Sequence, residues 1–144
     1  MDDKLYNTLK KKWFLLEKKS HSPLEGMKIK IVSGKETRDK YGVDFIGGGH
    51  TMVYKFIPKI EIWIEDIKPV SERNKILAHE MLEICLMHKK HLTYDKAHAI
   101  ANEYESMLRK GDKPESVFKK YVDKHLDGDE ETYELIIKNY GEIL

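Results

Sequence analysis

Between residues 28 and 67 the apolar residues follow a strand's period, and from about Ser71 they follow a helix's, so strands and helices occupy separate parts of the chain. Lys28-Ile29-Lys30-Ile31-Val32 is a short strand followed by a Ser33-Gly34 turn, and Gly47-Gly48-Gly49 is a loop. Thr51 to Ile57 and Lys59 to Ile67 read as two strands broken at Pro58. In the second, Ile60, Ile62 and Ile64 share one face and Glu61, Trp63 and Glu65 the other. Such a polar face suits a strand at a sheet edge or over a cleft. Ser71 is a suitable N-cap, with Glu72 in the first turn, for a helix to about Lys90. Further helices are expected from Thr93 to Gly111, from Pro114 to about His125, and from Glu130 to Tyr140. The fold class expected is α+β: a small, mainly antiparallel sheet packed on a helix pair, with helices at both ends.

A length of 144 residues suits a single domain, 1–144, with residues 28–108 as its motif-bearing core and 112–144 as a helical extension. Leu5, Leu9, Trp13 and Leu16 recur at helical spacing among lysines, which predicts an amphipathic first helix with a solvated basic face. The apolar stretches are too short to span a bilayer, and no continuous apolar segment follows Met1-Asp2-Asp3-Lys4. A cytoplasmic chain without a membrane partner is therefore expected. A net charge of +1 argues against a dedicated nucleic-acid binder. The single cysteine, Cys85, excludes an internal disulfide framework. The chain lacks Gln and has far more Lys than Arg, a profile reported for heat-adapted, thermophile proteins.

The chemistry concentrates in Leu77-Ala78-His79-Glu80-Met81-Leu82-Glu83. On a helix Glu83 lies about 40° around from His79 and one turn along, so the two side chains can close on one metal ion. Glu80 projects about 100° from His79, beside a bound water rather than on the ion. Leu77, Met81, Ile84, Cys85 and His88 occupy the opposite, packing side. A catalytic site needs a third protein ligand and an open position for water. A carboxylate in place of a second imidazole hardens the site, which makes Mn²⁺ or Fe²⁺ suitable alongside Zn²⁺.

The next helix supplies the third ligand. Ala97, Ile100, Ala101, Tyr104, Met107 and Leu108 form its packing stripe, with His98, Asn102 and Glu105 on a neighbouring face. Glu103 projects about 140° from His98, so the two compete as ligands. His98 is preferred because Ala97 and Ala101 beside it allow the helices to approach closely; Glu105 or Asn102 would then support the site.

The motif His79-Glu80-x-x-Glu83, with a strand upstream and Tyr94-x-x-Ala97-His98-x-x-Ala101 downstream, resembles the zincin metallopeptidases. It looks most like their minimal gluzincin-like catalytic domains, and it is similar to small HExxE proteins of phage and microbial origin. The resemblance spans about residues 28–108. It implies that His79 and Glu83 are ligands, that Glu80 is the general base, and that a peptide lies beside the strand Ile60 to Ile64. Glu83 stands where the usual motif has a second histidine, and the usual gluzincin third ligand is an acid, a place Glu103 matches by spacing. The function expected is a metal-dependent hydrolase acting on an amide in a peptide or protein. Metal-bound water would attack the carbonyl, Glu80 would carry the proton, and the ion would hold the oxyanion. The rival is a non-catalytic, zincin-shaped metal-binding or regulatory module.

Other signals are weaker. His88 reads as a packed histidine or helix cap, His91 as a cation at a helix end, and Cys85 as a buried, inert thiol. Gly47-Gly48-Gly49-His50 lacks the end of a phosphate loop and reads as a flexible hairpin or cleft-edge loop, with His50 a remote candidate for transition-state stabilisation. Asp123-x-His125-x-Asp127-Gly128, with Glu134, is a poor match to a calcium loop.

Overall fold

The structure, a computed structural model, describes residues 22–142. The helix expected around Leu5 to Leu16 lies outside them. Strand β1 (Lys28–Val32) leads into helix α1 (Gly34–Tyr41), then strands β2 (Gly48–His50) and β3 (Glu61–Glu65). Helices α2 (Val70–Lys89), α3 (Tyr94–Arg109), α4 (Pro114–His125) and α5 (Glu130–Glu142) follow. The class is α+β, as the change of period requires. Among the described residues no helix is long and apolar enough to cross a membrane.

The three strands lie in the order β1-β3-β2. β2 pairs antiparallel with β3, but the longer pairing, β1 with β3, is parallel. The sheet is thus mixed rather than mainly antiparallel. The physical reason is the connection 33–60, which exceeds the dozen or so residues that a parallel crossover needs. β3 is also central, not an edge. Its polar face is covered on the far side of the sheet: Trp63 Nε1 donates to Glu61, Glu65 meets Arg38, and Phe56 stacks on Tyr41 with ring centroids 3.9 Å apart. Ile62 and Ile64 are buried as expected, whereas Ile60 precedes the strand and is exposed.

Two local assignments change. Ser33 does not begin a mere turn: its hydroxyl accepts from the Glu36 N–H at 3.2 Å, capping α1, which ends at Gly42 in the left-handed region. Residues 51–57 form turns rather than a strand, and the expected loop 47–49 contributes most of β2. The glycines there are sterically required. A Cβ on Gly48 would lie 2.9 Å from the Trp63 carbonyl oxygen and 3.0 Å from the Ile76 side chain, and one on Gly49 would lie 2.5 Å from the Tyr54 ring.

Helix α2 packs against β2 and β3, and α3 runs along α2. From Leu77 to Leu86 every residue of α2 is buried, including the face that carries the acids. The expected division into a packing face and an open polar face therefore fails: the sheet and α3 cover the polar face too. Ala97 and Ala101 are fully buried and let α3 approach closely. α4 and α5 close the remaining side through Phe118, Tyr121 and Ile136, and Tyr121 donates to the Leu82 carbonyl at 2.7 Å.

Candidate metal centre

Thr93 fixes the start of α3, its side chain accepting from the Lys96 N–H. The turn before it sets α3 against α2, so that His98 faces His79 and Glu83. His79 Nε2 lies 3.0 Å from Glu83 Oε2 and 3.1 Å from His98 Nδ1, and that Nδ1 lies 2.9 Å from the same Glu83 oxygen. Three donor atoms from two helices thus converge on one point. Their separations suit ligands about 2.0–2.2 Å from a shared divalent ion. His79 and Glu83 are buried, while the His98 side chain is 41% exposed and borders the way in.

His50 arrives from the sheet. It pairs with Ile62 in the antiparallel register, so its side chain shares the face of Ile62 that α2 covers. Its Nε2 lies 2.8 Å from Glu83 Oε1 and 3.8 Å from Glu80 Oε2. This contact was not legible as such. A triple glycine reads as loop, and only the requirement for glycine against α2 shows that the segment is pressed into the interior. His50 is therefore no flexible cleft-edge residue: its ring is wholly buried and Nδ1 finds no hydrogen-bond partner.

Of the competing third ligands, His98 joins the cluster and Glu103 does not. Glu103 is exposed and lines a groove with Tyr104, Lys120 and Lys124 on the α4 side. Glu105 reaches the site from the next turn. Its Oε1 is 3.0 Å from His79 Nδ1, close enough for an ion pair though outside hydrogen-bond geometry, and its Oε2 accepts from Arg109 at 2.8 Å. Asn102 is exposed. His88, expected to pack or to cap the helix, is exposed in the last turn of α2, and His91 is exposed with a positive φ of 54°. Cys85 is buried, and burial pushes its thiol pKa well up. The calcium-loop pattern dissolves: Asp123 and His125 lie within α4, Glu134 lies within α5, and Asp127 pairs with Lys90.

The electrostatics follow from the crowding. Burial opposes a charged His79, but the carboxylates of Glu105, Glu83 and Glu80 overcome it and hold the imidazole pKa at about 10. Burial, reinforced by the Glu83 charge, raises Glu80 to about 8. Burial acts upward on Glu83 as well, yet hydrogen bonds from His50, His79 and His98 take it down to about 2. In the absence of a cation the cluster thus keeps protons where an ion's charge would otherwise sit. A cavity of about 90 Å³ reaches Glu80, Glu83 and His98 past Gly48, Gly49, Tyr54 and Tyr94. That is room for about three waters.

No family model matches the chain, and no curated protein or solved structure matches it.

Proposed function

We propose that the chain is a metal-dependent hydrolase whose cation is held by His79, Glu83 and His98, and that it cleaves an amide in a peptide. The observation that carries this reading is the convergence of those three donors within 3.1 Å of one another beside a cavity that also touches Glu80. Zn²⁺ suits the two imidazoles and one carboxylate, and Mn²⁺ and Fe²⁺ are compatible with the harder oxygen. When bound, such an ion supplies acidity to a water and charge stabilisation to a developing oxyanion. Glu80 borders the cavity and would accept and return the proton of a water held there; its raised pKa suits a group that does so near neutrality. Glu105 stands 3.0 Å from His79 Nδ1, where a small turn of either side chain would let it accept that ring N–H and orient the imidazole. Because β3 is paired on both sides, an extended peptide cannot add to it. β2 is one of the two outer strands among the described residues, and its Gly48 and Gly49 border the cavity, so a peptide lying across that end of the sheet would bring an amide to the site.

The test is Glu80→Gln, which keeps the shape and removes the proton acceptor. Peptide and unfolded-protein libraries incubated with Zn²⁺, Mn²⁺ or Fe²⁺ identify a substrate. Its turnover should fall by about two to four orders of magnitude in the variant, which keeps the ion on His79, Glu83 and His98. Cleavage that survives in Glu80→Gln overturns the assignment. No cleavage with any metal, together with a cation closed to water, selects the non-catalytic module instead.

A further inference from the structure

Glu83 uses its two oxygens differently. Oε2 meets His79 and His98, whereas Oε1 meets His50 Nε2 at 2.8 Å. Glu80 Oε2 lies 3.8 Å from the same nitrogen. His50, Glu80 and Glu83 each place a donor atom within 4.8 Å of the others, and all three residues are buried. We infer that His50, Glu80 and the free oxygen of Glu83 hold a second divalent cation, so that Glu83 bridges two ions. This rests on the proposed first site and extends it to a dinuclear centre.

Three observations favour an ion over a hydrogen-bonded cluster. Glu80 and Glu83 are buried side by side, and no Lys or Arg among the described residues forms an ion pair with either. Only imidazoles offset the two buried carboxylates, and burying charge costs several kcal/mol per ion unless it is fully paired, a cost that a divalent cation between them would offset. His50 is wholly buried with Nδ1 idle, and its other nitrogen faces both carboxylates. Nε2 is thereby aimed between two carboxylate oxygens, where a ligating lone pair would point, with the ring proton then on Nδ1. Finally, a carboxylate offering one oxygen to each donor group spans the ~3.5–4 Å separation of two-metal centres. One nitrogen and two carboxylate groups suit Mn²⁺, Fe²⁺ or Zn²⁺. Glu80 keeps a second oxygen with which to take a proton from water in the cavity.

The experiment is metal titration of the chelated full chain, with Mn²⁺ and Zn²⁺ content per chain read by elemental analysis and Mn²⁺ coupling by electron paramagnetic resonance. Wild type should hold two ions and show the multiline spectrum of bridged, spin-coupled Mn²⁺. His50→Ala should hold one and show the spectrum of an isolated ion. Because His50 is fully buried, Glu80→Gln, of equal size, serves as the second variant. It too should retain one ion, with an unchanged circular dichroism spectrum. One ion in wild type, unaltered in both variants, overturns the second site and leaves the single-cation reading intact. No stoichiometric metal in wild type overturns both.

Discussion

His50 Nε2 and Glu83 Oε1 meet at 2.8 Å across 33 residues of sequence, both side chains out of contact with solvent. The contact joins the sheet to the helix pair at the point where His79, Glu83 and His98 converge. Glu83 is thereby surrounded by three imidazoles, which explains why a buried carboxylate stays ionised.

His79→Ala should abolish stoichiometric binding at the first site, because it removes the buried imidazole of the three mutually contacting donors. His98→Ala should weaken binding strongly, and Glu103→Ala should leave it unchanged, since Glu103 faces another groove. Chelator competition measures all three. Full occupancy in His79→Ala would place the ion elsewhere.

Glu105→Ala should lower metal affinity by about 10- to 100-fold while the fold persists, the cost expected when the group orienting a ligating histidine is lost. Isothermal titration of the variant provides the check. An affinity equal to wild type would show that Glu105 does not orient His79.

The metal-free protein should lose stability on the alkaline side. The His79 pKa is raised from 6.5 to about 10, so its contribution is complete below pH 6.5 and lost as pH rises through 10. Glu80 acts in the same direction: with its pKa raised from 4.5 to about 8, its ionisation penalises the folded state progressively across that interval. Glu83, lowered to about 2, contributes above pH 4.5 and loses that contribution only as pH falls towards 2. In chelator the melting midpoint should be lower at pH 9.5 than at pH 6. If the proposed sites bind, saturating Zn²⁺ should raise the midpoint more at the higher pH, because a cation takes neutral imidazole and ionised carboxylate. A chelated midpoint that is flat or rises with pH would contradict this.

Gly48→Val should destabilise by about 1–3 kcal/mol, because its side chain would press on the Trp63 carbonyl and on Ile76. It should also weaken metal binding by moving His50 away from α2. Urea denaturation and metal content, measured on the same samples, separate the two effects. A wild-type midpoint would mean that β2 has slack that the structure does not show.

Much of the helical half was legible because its determinants are local. Ala97 and Ala101 beside His98 announced a close helix crossing, and one-turn spacing joined His79 to Glu83. α1 also carried local signals, the Ser33-x-x-Glu36 capping pattern and Gly42, but its lack of an apolar stripe hid it behind a turn reading. The sheet was harder because pairing is a long-range property. Nothing within Glu61 to Glu65 reveals that both its edges are taken, or that Gly48 to His50 is one of the partners. His50 was misread for the same reason: its environment is set by a helix more than twenty residues downstream.

Because β2 lies on the crossover between the two parallel strands, the centre is assembled from parts with very different loop-closure costs. The α2–α3 hairpin brings His79, Glu83, His98 and Glu105 together over a short stretch of chain, whereas His50 reaches them only when the 33–60 connection folds back. We expect the helical hairpin to order first and the histidine from the sheet to dock last. Kinetically, Ala101→Gly would then chiefly slow folding and His50→Ala chiefly speed unfolding, and stopped-flow traces showing the opposite partition would reverse that order. Sequence distance would thus set a timetable, in which a cation present during refolding meets a half-built cradle before the strand closes over it.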